Sequence, residues 1–184
     1  MSHSPPGGNT TYEILSRLVL APGGYEIRVA LDAGRDQRAS VYTYVDVPDF
    51  ARQPLSLSGI VLAVSPAVGS APADAFRDIT PVIPTARRDI ARTAHATVFL
   101  RVYQDARAAA LPVTLTARIT DTADRVVFDN VSELAASRFD NHAADYLIEI
   151  PVERLASGEY LLTIEAAQRD RVARRRVRFT VRQP

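Results

Sequence analysis

Leu20–Leu31, "LAPGGYEIRVAL", returns near the other end of the chain as Leu155–Ala166, "LASGEYLLTIEA". In both copies a leucine precedes a turn, a glycine follows it, and a tyrosine opens an alternating run. Tyr25, Ile27, Val29 and Leu31 fall on one face of an extended strand, as do Tyr160, Leu162, Ile164 and Ala166. Gly23 and Gly158 permit a turn conformation that a side chain resists. A tyrosine just after such a turn, at the head of the penultimate strand, reads as a tyrosine corner of an immunoglobulin-like sandwich, its ring on the core and its hydroxyl returning to nearby backbone. Each copy leads into a second alternating strand, "SVYTYVDV" (Ser40–Val47) after the first and "RRRVRFTV" (Arg174–Val181) after the second. The repeated phrase is therefore read as a closing hairpin, written twice.

Other strands lie between the copies. Val113, Leu115, Ala117 and Ile119 alternate with Thr114, Thr116, Arg118 and Thr120, and "DTAD" (Asp121–Asp124) turns into "RVVFDNV". Thr97–Gln104 carries Val98, Leu100 and Val102 on one face and Phe99 and Tyr103 on the other. Tyr146, Ile148, Ile150 and Val152 alternate with Asp145, Leu147, Glu149 and Pro151. In "LSLSGIVLAV" the apolar phase flips at Gly59, which predicts a bulge. About seven strands in roughly 130 residues fit an antiparallel sandwich, with no amphipathic helix of ordinary length in competition.

The pattern predicts an all-β chain: 1–10 disordered, 11–48 the closing strands of an incomplete sandwich, 49–54 a linker, and 55–184 a complete immunoglobulin-like sandwich. Three strands cannot close a sandwich alone. Those of 11–48 need a facing sheet to cover their apolar side, so a protein partner or self-association through the N-terminal strands is expected.

Composition bounds the function. The chain has 184 residues, 47% of them hydrophobic and 23% charged, the profile of a globular protein. No apolar run approaches the ~20 residues of a membrane-spanning helix, so no membrane insertion is expected. The N-terminus lacks the basic and apolar regions of a signal peptide. There is no cysteine, hence no disulfide, thiolate metal site or cysteine nucleophile. All 22 basic residues are arginine, a bias we assign to coding. A net charge of +1 gives no global attraction to nucleic acid.

No catalytic constellation stands out. His3, His95 and His142 show no ligand spacing, and "FDNHAADY" (Phe139–Tyr146) lacks the glycine and distal glutamate of a calcium loop. No Gly-x-Ser-x-Gly elbow, phosphate-binding glycine loop or His-Glu-x-x-His occurs. We expect no catalytic residue, metal or cofactor. Two regions qualify for contacts. From Arg169 to Arg182 there are seven arginines against Asp170 alone, and Arg174, Arg176, Arg178 and Arg182 share the outer face, as edge protection or as a contact for an anionic partner. Ser65–Thr93, with Pro66, Pro72, Pro81 and Pro84, is long for a connection in a compact domain. Phe76, Arg87 and Arg88 are its candidates for an interface.

The segments "LAPGGYEIRVAL…VYTYVDVPDFARQPLSLSGIVLAV", "PVIPTARRDIARTAHATVFLRVYQ" and "LASGEYLLTIEA…VRFTV" resemble the C-terminal region of bacterial proteins related to the von Willebrand factor type A (VWFA) family, from about Thr11 onward. The "VDVPDF…LSLSGIVL" junction is the most specific part. The resemblance implies tandem all-β modules, exported or envelope-associated, with an adhesion or assembly role, and a first copy that ends a module begun upstream. The type A domain and its Asp-x-Ser-x-Ser metal motif do not occur here, so metal-dependent binding is not implied. The expected function is a non-catalytic interaction or spacer module. The alternative is a carbohydrate-binding accessory module using tyrosines such as Tyr42 or Tyr103.

Overall fold

The computed structural model describes residues 12–32, 34, 37–67, 69–72 and 75–183. The expected disordered 1–10 segment lies outside them. The chain is an antiparallel β-sandwich with a separate hairpin. One sheet holds β7 (Asp89–Ala91), β9 (Val113–Asp121), β10 (Val126–Leu134), β12 (Gly158–Gln168) and β13 (Arg171–Arg182), in the order β10-β9-β12-β13-β7. In the other, β11 (Ala143–Ile150) pairs with β8 (His95–Gln104), whose far edge takes β4 (Leu55–Leu57) and then β5 (Val61–Ser65).

The core follows from the alternation. Val113, Leu115, Ala117 and Ile119 of β9, Leu162, Ile164 and Ala166 of β12, and Val98, Leu100 and Val102 of β8 are fully buried between the sheets. Leu57, Leu62, Ile90, Tyr146 and Phe179 complete that layer. The Gly59 bulge appears where the phase flips: between the pairs Leu57↔Val102 and Val61↔Phe99 there are three residues on one strand and two on the other. Ser58 bridges the irregularity, its amide donating to the Arg101 carbonyl at 2.9 Å and its Oγ accepting from the Arg101 amide at 2.9 Å. Among the described residues, helix is confined to single 3-10 turns at Ala136–Arg138 and Val152–Arg154.

The turns are built by side chains that satisfy local backbone. Asp121 accepts from the amides of Ala123 and Arg125 and pairs with Arg125, closing the β9–β10 turn around Asp124 at φ 58°. After β8, Asp105 holds the Arg107 amide and guanidinium, and these hydrogen bonds lower its pKa to about 2. Gln104, at the end of β8, is buried and donates from Nε2 to the Leu111 carbonyl at 2.7 Å, while the Leu111 amide donates to its Oε1 at 2.9 Å. That two-point clasp closes the 105–112 loop against the core.

The outer face of the β8 sheet is also covered. Phe99, on that face, is nearly as buried as the core itself. The segment after β5 includes β6 (Gly69–Ala71), which pairs in parallel with β1 (Tyr12–Ile14). The same segment is held to the sheet by Arg101, whose guanidinium donates to the Ile79 carbonyl at 3.3 Å and pairs with Asp145 at 2.6 Å. Residues 76–85 of the long connection therefore cover part of that sheet face, while its end, β7, joins the edge of the other sheet. β1 belongs to the cover as well: the Glu13 carboxylate accepts from the Thr85 hydroxyl at 2.6 Å and the Ala86 amide at 3.2 Å, and Arg17 pairs with Asp78 at 2.7 Å. This differs from the expected grouping of residues 11–48. The first strand pairs with β6 and not with the hairpin, because two loop hydrogen bonds and an ion pair tie it to the long connection.

Candidate interaction surface

The first copy of the phrase forms β2 (Gly23–Asp32), which pairs with β3 (Arg38–Val47) and, among the described residues, with no other strand. Its register repeats that of β12–β13: Tyr25 faces Val45 as Tyr160 faces Phe179, and Gly23 faces Val47 as Gly158 faces Val181. The tyrosines also match. The Tyr25 hydroxyl donates to the Ala21 carbonyl at 2.9 Å and the Tyr160 hydroxyl to the Ala156 carbonyl at 2.8 Å, four residues back in each case. Both copies thus fold into the same hairpin. The glycines are not equivalent: Gly23 has φ 151°, a conformation L side chains rarely adopt, whereas a Cβ at Gly158 meets only the Tyr160 ring edge at 4.0 Å. The conformational demand for glycine therefore applies to Gly23 alone.

The two hairpins differ in what covers them. In β12–β13 the inward side chains Tyr160, Leu162, Ile164, Ala166, Phe179 and Val181 are buried, with the Tyr160 and Phe179 rings stacked at 5.6 Å. In β2–β3 the corresponding face is open toward Val29, Leu31 and Val41 and half-buried at the end that carries Tyr25, Ile27, Val45 and Val47. Val29 is 55% exposed, where its counterpart Ile164 is 0%, and Leu31 and Val41 are likewise exposed. The face consists of Tyr25, Ile27, Val29 and Leu31 opposite Ala39, Val41, Thr43, Val45 and Val47, with no charge among them. Every charged residue of the ribbon (Glu26, Arg28, Asp32, Arg38, Asp46) alternates to the opposite face. There Glu26 pairs with Arg28, and hydrogen bonds from Tyr44 and then Arg28 hold its carboxyl below the usual range. Tyr42 and Tyr44 stand exposed beside it, edge to face at 6.0 Å.

The shared hydrogen bond gives a graded expectation. Tyr160→Phe removes a part-buried hydrogen bond made by a buried tyrosine and should lower the unfolding free energy by about 1 kcal/mol. Tyr25→Phe, where water replaces the hydroxyl, should cost less than half of that in the same urea titration.

The arginine row is where the alternation puts it, on the outer face of β13, but two of its members are already engaged. Arg174 pairs with Glu165, and Arg182 with Asp89 at 2.8 Å. Arg176 and Arg178 have no ion-pair partner among the described residues. They lie on a stretch of β13 that pairs with β12 alone, since β7 adds rungs only at Thr180–Arg182. Charges on such an edge discourage pairing with another sheet. Arg175 was not anticipated. Its position in the alternation faces inward, and its guanidinium escapes to the Ser58 carbonyl at 3.2 Å, linking the two sheets.

In the long connection, Phe76 is half-buried in a groove it lines with Leu18, Ile60 and Phe99. Arg87 and Arg88 are exposed, and the Arg88 guanidinium donates to the carbonyls of Thr85 and Arg87. Tyr103, a candidate for sugar contact, packs at a tilt against Phe50 of the 48–54 segment, with ring centres 4.4 Å apart. In the 139–146 loop, Asp145 is drawn away to Arg101, and Asn141 and His142 take left-handed backbone conformations. Among the described residues no three His, Asp or Glu side chains gather into a metal-binding group.

No family model matches this sequence, and no curated protein matches it. Solved structures do. The chain is similar to a glycosyl hydrolase family 2 member from Bacteroides cellulosilyticus at 16% identity and a TM-score of 0.45, over 76% of this chain and 16% of that one. It is similar to the C-terminal domain of wzt at 11% identity and a TM-score of 0.44, over 89% of this chain and 83% of that one. Dimeric latent PorU from Porphyromonas gingivalis aligns at 13% identity and a TM-score of 0.39, over 90% of this chain and 13% of that one. The chain thus spans about a sixth of the hydrolase it aligns with and most of the wzt domain.

Proposed function

We propose that this protein is a non-catalytic β-sandwich interaction or spacer module, and that the apolar face of β2–β3 is the surface through which it acts. One observation carries the reading: a hairpin with the register and tyrosine corner of β12–β13 leaves Val29, Leu31 and Val41 exposed and Tyr25, Ile27, Val45 and Val47 only half-buried, where its counterpart is buried. An apolar ribbon of that kind is read as a surface for a cover, since the largest contiguous apolar patch on a soluble monomer is often its functional one. In this reading β2–β3 closes a second sandwich whose facing sheet comes from elsewhere, the 48–54 segment joins the two units, and Arg176 and Arg178 are the arginines left for an anionic contact. The resemblance to C-terminal regions of VWFA-related proteins fits an adhesion or assembly role in an exported or envelope setting.

The exposed face can be read with a dye that fluoresces in apolar sites. The full chain should enhance anilinonaphthalene sulfonate fluorescence, and Val41→Asp, at a 66% exposed position, should remove most of that signal without moving the unfolding midpoint. Equal fluorescence from both proteins would mean that the hairpin face is not the open surface. A carbohydrate-binding role is the second reading, favoured by the exposed Tyr42 and Tyr44 beside Glu26 and Arg28. Binding on a glycan array that Tyr42→Ala abolishes would support it.

A further inference from the structure

We infer that the free edge of β13 takes up, as an added strand, an extended segment of a partner protein in which acidic and aliphatic residues alternate. The inference rests on the reading of Arg176 and Arg178 as an anionic contact and names the ligand; the β2–β3 face plays no part in it.

The chain already adds one short strand to this edge, and that strand shows what the edge accepts. β7 runs parallel to β13, with Asp89, Ile90 and Ala91 beside Thr180, Val181 and Arg182. The Thr180 amide donates to the Arg88 carbonyl at 2.7 Å, and the Arg92 amide to the Arg182 carbonyl at 2.9 Å. On the outer face the Asp89 carboxylate accepts from the Arg182 guanidinium at 2.8 Å. On the inner face Ile90 is wholly buried. β7 is therefore held by a backbone ladder, an outward acid on an arginine, and an inward aliphatic side chain.

The next stretch of β13 offers the same three elements without an occupant. Successive residues of a strand turn their amide and carbonyl to opposite edges. Thr180 and Arg182 direct theirs to β7, so Arg178 and Arg176 direct theirs the same way, while Val177 and Phe179 serve β12. Among the described residues nothing pairs with the amides and carbonyls of Arg176 and Arg178. Their side chains are also the two of the outer row without an ion-pair partner. Four open backbone groups and two open guanidiniums thus belong to the same two residues. Between them Val177 is half-buried on the inner face, against the core. The opening has defined ends. One is Arg88, on the Thr180 amide; the other is the Arg175 guanidinium, which donates to the carbonyls of Arg174 at 3.1 Å and Ser58 at 3.2 Å. About five residues of strand fit between them, at ~3.3 Å per residue. Acids two residues apart would meet Arg176 and Arg178, with the aliphatic residue between them on Val177, repeating Asp89 and Ile90 further along the strand. The arginines also select the occupant. The same edge of a second copy brings a like-charged row and is repelled, whereas an acidic strand gains charge-assisted pairing in addition to the ladder.

The probe is a fluorescently labelled, end-capped peptide of the alternation Asp-Ile-Asp-Ile-Asp, titrated into the full chain while amide hydrogen exchange is followed residue by residue. In the free chain the amides of Arg176 and Arg178 should exchange about tenfold or more faster than those of Val177 and Phe179, which pair with β12. Saturating peptide should slow the two arginine amides by about tenfold or more. Replacing both arginines, Arg176→Gln with Arg178→Gln, should weaken binding about tenfold or more without moving the unfolding midpoint, since both side chains are exposed. A peptide methylated on its backbone nitrogens keeps the charges and loses the ladder, and should not bind. If that peptide or a sulfated disaccharide binds as tightly as the parent and the two amides stay unprotected, the row is a plain anion contact; strand addition is overturned and the anionic-contact reading stands. If the parent peptide fails to bind at about 1 mM, or if both amides already exchange slowly in the free chain, the edge is not open to an acidic partner and both readings fall.

Discussion

Ile164→Ala should lower the unfolding free energy by about 2–5 kcal/mol, and Val29→Ala, at the equivalent position of the other hairpin, should change it by less than about 0.5 kcal/mol at low protein concentration. The two residues sit at the same rung of the same motif, opposite Arg175 and Val41 respectively. Ile164 is completely buried, in contact with the layer contributed by β8, so truncation removes transfer free energy and leaves a cavity that a packed sandwich closes only in part. Val29 is more than half exposed, so its truncation returns little surface to water that was not there already. Urea titrations monitored by far-UV circular dichroism would measure both. A loss above about 1.5 kcal/mol for Val29→Ala in a monomeric sample would mean that the face is packed against something in the same chain, and the unpartnered hairpin would have to be abandoned.

Gln104→Ala should cost about 2–4 kcal/mol, a large loss for a polar residue at the end of a strand. The side chain is 4% exposed and satisfies both backbone groups of Leu111. Its removal leaves the part-buried amide and carbonyl of Leu111 without partners, at up to roughly 1–3 kcal/mol of desolvation each. Gln104→Glu sharpens the test. A carboxylate keeps the acceptor for the Leu111 amide but turns a second oxygen toward the Leu111 carbonyl, so burial and repulsion raise its folded pKa above the unfolded value. A carboxyl with a raised folded pKa binds its proton more tightly in the native state, so the variant should regain stability as pH falls through that pKa. Chemical denaturation at neutral and at mildly acidic pH reads both arms. A variant as stable as the parent at neutral pH would show that the clasp does not hold the loop.

The sandwich itself was readable from alternation, because a half-buried strand records its two environments residue by residue. The runs at Val113–Thr120, Thr97–Gln104 and Tyr160–Ala166 became β9, β8 and β12 with the expected inward faces. The phase flip at Gly59 appeared as an extra residue against β8. The duplication was readable for the same reason, a turn and tyrosine repeated at equal spacing. Other features left no periodic trace. The β1–β6 pairing is three rungs long and involves no alternating run, so Thr11 onward reads as a lead-in to β2 when it is tied elsewhere by Glu13 and Arg17. The covering role of residues 76–85 depends on Arg101, whose place on the outer face of β8 was visible but whose reach to Ile79 was not. Arg175 sits in an inward slot of the pattern and escapes through a gap between sheets that only the assembled fold creates. Of the candidate surface, the composition of the β2–β3 face could be read in advance. The candidate contact residues Phe76 and Tyr103 proved to be covered at least in part by their own chain, Phe76 in the groove with Leu18 and Tyr103 beneath Phe50.

The double anchoring of the hairpin changes how the chain carries mechanical load. On its N-terminal side, β1, Glu13 and Arg17 are fastened to the covering connection; on its C-terminal side, Phe50 lies on Tyr103 and the Ala51 carbonyl accepts from the Ala106 amide at 3.1 Å. Leu18 and Tyr103 line one groove, so the two fastenings meet on the same face of the sandwich. A pull arriving through Tyr12 therefore passes into the sandwich and bypasses the ribbon, which hangs as a side branch and not as a link in series. Tension along the polypeptide would leave β2–β3 folded until the β1–β6 rungs and the Arg17–Asp78 pair give way, so whatever grips the ribbon stays gripped while the backbone on either side is under strain.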